Sequence, residues 1–151
     1  MREAVNVVQV RNKEIIRSTF EDIWNQGRVD LISNYWAAEL SNFGVQRSLA
    51  HMRLMVETWR TAFPDLHFTV DEQIAEGNQV FSHCTLTGTH LGTFKHPYWG
   101  SLAPTGKHFT VKHMHLFRLH DGKVIEHWAV RDDLGMLQQL GVVLLPGPGK
   151  E

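Results

Sequence analysis

The sequence predicts an α+β fold, in which N-terminal helices pack in a strongly curved, mostly antiparallel sheet. Two observations carry that prediction. Apolar residues recur at helical spacing as far as Trp59, whereas period-two alternation dominates from His67 to Arg131. The helical and extended segments are segregated in the chain, which argues against alternating βαβ units. A curved sheet wrapped around the leading helices makes a cone with one open end, and such a closed-ended cavity is a natural small-molecule site.

Size and charge narrow the classes of function. The 151 residues suffice for one domain with its own core, and no repeat or shift in composition marks a second, so residues 1–151 are read as one unit with its core at about 12–141. With 15 basic and 16 acidic residues the net charge is −1, which gives no basic surface for nucleic acid or an anionic membrane. A single cysteine, Cys84, forms no internal disulfide, and no apolar run approaches the roughly 18 residues of a membrane span. The N-terminus lacks the apolar core of a secretory signal, so a soluble, cytoplasmic protein is expected.

Taken in order, residues 1–10 read as a weakly patterned lead-in. Asn12 is a candidate N-cap for a helix carrying Ile16, Phe20, Ile23 and Trp24 on one face, with Gly27 as its stop. A short helix over Val29–Trp36 groups Leu31, Ile32, Tyr35 and Trp36, and residues 37–47 read as loop. Ser48 caps a third helix, with Met52, Met55, Val56 and Trp59 along one face and Pro64 beyond its end. Two strands follow at His67–Ile74 and Gln79–Thr89, joined through Ala75-Glu76-Gly77-Asn78. The Pro/Gly-rich stretch Gly92–Gly106 is too long for a tight hairpin and is a candidate mouth loop. Strands over Lys107–Leu119 and Lys123–Arg131 meet at His120-Asp121-Gly122, and a last helix spans about Asp133–Leu140 before Gly141. The start of the tail VVLLPGPGKE is apolar enough to dock.

Several stretches together are similar to one family. The run Ala62-Phe63-Pro64-Asp65-Leu66, the hairpin Ile74-Ala75-Glu76-Gly77-Asn78, Gly88-Thr89-His90 with Gly92, Pro104-Thr105-Gly106, Asp121-Gly122-Lys123-Val124-Ile125-Glu126-His127-Trp128 and Leu134-Gly135-Met136-Leu137-Gln138-Gln139-Leu140-Gly141 resemble the SnoaL-like family of polyketide and ester cyclases. The resemblance covers about residues 12–141. It implies the cone of the nuclear transport factor two-like superfamily, assembly as a homodimer or higher homo-oligomer, and an intramolecular aldol ring closure using neither metal nor organic cofactor. It also matches His115 to a pocket histidine of the family. The family's catalytic aspartate falls at Ala129 here, while Asp132 matches a second acidic position.

Strand periodicity gives these residues their faces. Val111, His113, His115 and Phe117 share one face of their strand, and Ile125, His127, Ala129 and Arg131 share one face of the next. If the rows line the cavity, His115 transfers protons or polarises a carbonyl near neutral pH, with His113, His127 and Asp132 as partners. The turn brings the region of His115 opposite that of His127. Asp132 has a second reading as the cap of the last helix, and Asp133 reads as a cap or first-turn acid. His113, His115 and His127 also have the spacing of a three-imidazole metal site, but the resemblance carries no metal and none is expected. Trp24, Tyr35, Trp36 and Trp59 either pack the core or line a cavity for a flat, hydrophobic substrate. His90 and Tyr98 or Trp99 are expected at its mouth, with Phe117 and Arg131 contributing from the strands. Cys84 reads as a packed thiol. The functions that follow are a cofactor-independent cyclase acting on a carbonyl-bearing polyketide- or terpenoid-like molecule, an isomerase or hydrolase on the same fold, or a non-catalytic binder of a hydrophobic ligand.

Overall fold

The computed structural model describes residues 2–144. A long helix α1 (Arg2–Ser18) continues as a π-helical turn (Thr19–Asn25), followed by a 3-10 turn (Val29–Leu31) and the short α2 (Ile32–Tyr35). Next come β1 (Trp36–Asn42), β2 (Val45–Ser48), α3 (Leu49–Ala62), β3 (His67–Glu76) and β4 (Gln79–Thr89). The chain then forms β5 (Phe94–His96), β6 (Gly100–Leu102), β7 (His108–His120), β8 (Lys123–Arg131) and α4 (Asp133–Gln139). Six strands make a single sheet in the order β2-β1-β8-β7-β4-β3, while β5 and β6 pair apart from it. All neighbours in the large sheet are antiparallel except β1 and β8, which run parallel. This is the expected α+β architecture.

Register shifts at Val70/Glu72 and Arg118/Leu119 insert bulges that bend the long strands, and the sheet curves around the helical layer. Along β7 the pleat sends Phe109, Val111, His113, His115, Phe117 and Leu119 inward and leaves Lys112, Met114 and Leu116 exposed. Ile16, Phe20 and Ile23 meet the inward row from the helix side and are buried. Among the described residues, no helix is long and apolar enough to cross a membrane.

The π-helical turn has an anchoring role. It turns Asn25 toward the start of β3, where its amide donates to the Phe68 carbonyl at 3.0 Å and its carbonyl accepts from the Phe68 N–H at 2.7 Å. The side chain thus substitutes for a missing backbone neighbour. Arg60 of α3 closes the same turn by donating to the carbonyls of Trp24 and Asn25, at 2.7 and 2.8 Å. Gly27, at φ +70°, is the expected stop, and a Cβ there would lie 2.5 Å from Arg60 Nε. Asn25→Ala is expected to cost about 1–3 kcal/mol, because it strands two partly buried backbone groups at once. A urea melt measures that loss, and an unchanged midpoint would remove Asn25 from its anchoring role.

Four boundaries differ from expectation for physical reasons. The helix starts at Arg2, not Asn12: no glycine or proline interrupts the first 26 residues, and Asn12 is a buried interior position. Trp36 opens a strand instead of ending a helix, and residues 37–47 form most of a hairpin rather than a loop. Its turn is Phe43-Gly44, both at positive φ, the backbone twist that two-residue hairpins require. The mouth segment contains the β5–β6 hairpin. The other long elements fall within two residues of their expected ends, and Ser48 caps α3 through the His51 N–H. From residue 145 onward the tail lies outside the described residues.

Candidate active site

Strand pairing decides which polar side chains meet inside the cone. The parallel β1–β8 register sets Asn42 beside His127, and the antiparallel β7–β8 register sets His115 opposite Ala129 and Phe117 opposite His127. His115 and His127 are therefore diagonal neighbours on one face. Their rings lie 5.3 Å apart, with His115 Nδ1 and His127 Nε2 separated by 2.9 Å. On its other side, His127 Nδ1 lies 2.8 Å from Asn42 Oδ1.

This chain of bonds fixes where the protons sit. An amide oxygen only accepts, so with Asn42 turned to place its Oδ1 at His127, the Nδ1 of His127 carries the hydrogen that the two share. A neutral His127 then has a bare Nε2, which accepts from His115 Nδ1–H. His115 Nε2 is left bare, and it is buried without any hydrogen-bond partner. Asn42 thereby dictates, through His127, that His115 presents a lone pair.

Burial keeps these rings neutral. His115 is held well below the usual imidazole range by burial first, then by the neighbouring His127, His113 and Arg131. Burial and then Arg131 bring His127 down to about 3 and His113 to about 4, with Asp132 opposing the shift at His113. Aromatic faces and edges complete the wall: Phe117 stacks on both His115 and His127, and Phe20 and Phe68 meet His115 edge-on.

Two adjoining spaces lie in this part of the cone, and the inner one faces the histidines. The inner one, about 30 Å³, is lined by His113, His115, His127, Ala129, Trp24, Phe68 and Leu86, and has room for a water or two. The outer one, about 920 Å³, opens between α3, β2 and the β5–β6 hairpin and falls in the size range of small-molecule sites. Phe43, Met55, Trp59 and Arg131 line both, so they form a neck between the chambers.

The expected site residues divide accordingly. His113, His115, His127 and Trp24 reach the inner space, and Trp59 and Arg131 stand at the neck. Asp132 does not pair with His115; its carboxylate caps α4 by accepting from the Gly135 N–H at 2.8 Å, where a side chain on residue 135 would collide with it. Asp133 pairs with Arg131 at 3.2 Å. Tyr35 is turned away, bonded through its hydroxyl to Asp22. Trp36 and Phe117 pack behind the histidines rather than lining a cavity, and His90 is buried against Phe63 and bonded to Thr105. Trp99 stacks on His96 at 3.7 Å, so His96 and Tyr98, not Trp99, line the outer chamber. Cys84 is buried, and burial pushes its thiol up to about 12, leaving it unreactive. Among the described residues no three His, Cys, Asp or Glu side chains are placed to hold a metal ion; His115 Nδ1 and His127 Nε2 are committed to each other.

Asn42, Phe43 and Arg47 escape the sequence reading because 37–47 reads as loop, and His51 on α3 and Lys95 in the mouth segment carry no local signal of a site. Asn42 and Val45 flanking Phe43-Gly44 carry a weak hairpin signal, but nothing local tells that β1 pairs with β8.

Comparison with known proteins identifies the family and the fold. A profile of the SnoaL-like polyketide cyclase family matches residues 14–140. The aklanonic acid methyl ester cyclase DnrD of Streptomyces peucetius is 27% identical over 135 residues, covering 85% of this chain and 89% of that protein. The nogalonic acid methyl ester cyclase of Streptomyces nogalater is 27% identical over 124 residues, covering 78% and 89%. In fold, TsrD from Streptomyces laurentii superposes with a TM-score of 0.78 at 24% identity, over 89% of this chain and 98% of that one.

Proposed function

This chain belongs to the SnoaL-like polyketide cyclase family, and on that premise we propose that it closes a ring in a carbonyl-bearing, polyketide-type substrate, with His115 Nε2 moving the proton. The single observation that carries the reading is the buried, unpartnered Nε2 of His115, a residue that lines the inner space. In an intramolecular aldol closure, Nε2 takes the proton from a carbon flanked by carbonyls. The resulting enolate carbon attacks a second carbonyl of the same molecule, and one C–C bond forms as that C=O becomes an alkoxide. The alkoxide takes the proton back from Nε2, so the product is an isomer of the substrate and the histidine ends neutral.

The polar chain supports both halves of the cycle. When His115 is protonated, His127 Nε2 accepts from its Nδ1–H, and Asn42 holds His127 in that tautomer. With Ala129 opposite His115 and Asp132 spent on its helix cap, a single group has to serve as base and then as acid. Aklanonic acid methyl ester and nogalonic acid methyl ester are the first substrates to offer, together with their free acids. Exchange of the activated C–H for deuterium, followed by NMR alongside product formation, tests proton transfer. Absence of both with every one of these substrates would overturn the reading.

The expected homodimer is supported by the outer face of the sheet. Met114 and Leu116 are exposed there opposite Val130 and Trp128, a solvent-facing apolar strip on β7 and β8. Val130→Lys is expected to convert a dimer into a monomer in light scattering at micromolar protein. A wild-type protein already monomeric under those conditions would rule out this assembly.

A further inference from the structure

The outer chamber carries a charge pattern that ring closure does not use. Arg47 on β2, Lys95 on β5 and Arg131 on β8 all line it, and His51 and His96 join them, with no Asp or Glu among the described lining residues. The chain as a whole is balanced, so this one-signed wall is local. Arg131 has a carboxylate partner in Asp133, whereas Arg47 and Lys95 make no ion pair among the described residues. Three separate strands thus deliver cations to one cavity.

Unpaired cations around a partly enclosed, apolar space repel each other, and a bound anion relieves that repulsion. The rest of the wall is Phe43, Leu54, Met55, Trp59, Phe94 and Tyr98, suited to a flat hydrophobic body. Resting on the reading that this chamber holds the ring-closing substrate, we propose that the substrate is a free carboxylic acid, its carboxylate seated by Arg47 and Lys95 and its ring system on the aromatic wall. This separates the chain from the two relatives named for methyl esters, whose head groups are uncharged. No esterification has to precede this enzyme. The lowered affinity of His51 for its proton, owed to burial and then to Arg47, agrees with a cationic surrounding.

Binding of simple probes tests the assignment without requiring turnover. Anthracene-2-carboxylate, its methyl ester and 2-anthryl phosphate are titrated into the protein by calorimetry at low salt and again at 0.5 M salt. The carboxylate is expected to bind at least tenfold more tightly than the ester at low salt, with most of that advantage lost at high salt. The double variant Arg47→Gln/Lys95→Gln is expected to lower carboxylate affinity about tenfold and leave the ester unchanged. Equal binding of acid and ester, or an unaffected double variant, overturns the proposal, and a phosphate bound more tightly than the carboxylate overturns the choice of acid. His115→Gln protein should keep the same preference, so a failure of the catalytic reading and a failure of this one are told apart.

Discussion

Replacing His115 with glutamine is expected to lower turnover by a factor on the order of 10² to 10⁴ while the protein stays folded. Glutamine keeps a neutral, polar side chain of similar length in the pocket but offers no lone pair that takes a proton at neutral pH. Asn42→Leu is the complementary variant. It removes the oxygen that fixes His127, so His127 no longer has to leave its Nε2 bare and His115 loses its enforced tautomer. An intermediate loss of turnover, with little change in substrate affinity, is expected. Nitrogen-15 NMR of labelled histidine provides the spectroscopic check: the wild-type should show His115 protonated at Nδ1, and Asn42→Leu should show a tautomer mixture. Full activity of His115→Gln would end the acid–base role assigned to that residue, and an Nε2-protonated His115 in the wild-type would reverse its first step from base to acid.

Acid should destabilise the fold steeply, well before the carboxylates titrate. His113 and His127 are depressed to about 4 and about 3, His96 to about 4, and His115 in the same direction, chiefly by burial. Above the unfolded value of 6.5 these groups are neutral in both states and contribute no pH dependence. As pH falls below 6.5 the unfolded chain binds protons that the folded one refuses, so stability is lost with falling pH until the folded values are reached. Each such histidine costs up to about 1 kcal/mol per pH unit, and together they withdraw several kcal/mol, an appreciable part of the stability of a typical domain. The urea midpoint is therefore expected to fall sharply between pH 6.5 and 4.5 and to be flat from 7 to 8. A flat profile down to pH 5 would mean that the rings are not buried neutral.

The parts legible in the sequence are those whose signal is local. Alternation placed His113, His115 and Phe117 on the inward face of β7, because a pleat leaves no choice once the strand is recognised. Ser48 announced α3 by its cap, and Gly27 and Gly141 marked helix ends that the structure keeps at positive φ. Asn42 was hidden because its role depends on pairing with a strand more than eighty residues later, and β1 has no regular alternation to announce it. Asp132 shows the opposite problem: its sequence supported an acid–base partner and a helix cap equally, and only the Gly135 N–H within reach decides for the cap. The cations of the outer chamber are scattered over three strands, so their convergence belongs to the fold and not to any stretch of chain.

The narrow neck formed by Phe43, Met55, Trp59 and Arg131 bears on regiochemistry. A substrate body seated in the 920 Å³ chamber cannot follow its reacting edge into a 30 Å³ recess. On the proposed reading, only a small group at the edge of the substrate, on the scale of a single carbonyl, reaches toward His115, while the body of the molecule stays in the outer chamber. If His115 moves the proton as proposed, the carbon that loses it is selected by reach along the molecule rather than by the relative acidity of its C–H bonds, and the distance from the seated body to that carbon becomes the molecular ruler for the ring that closes.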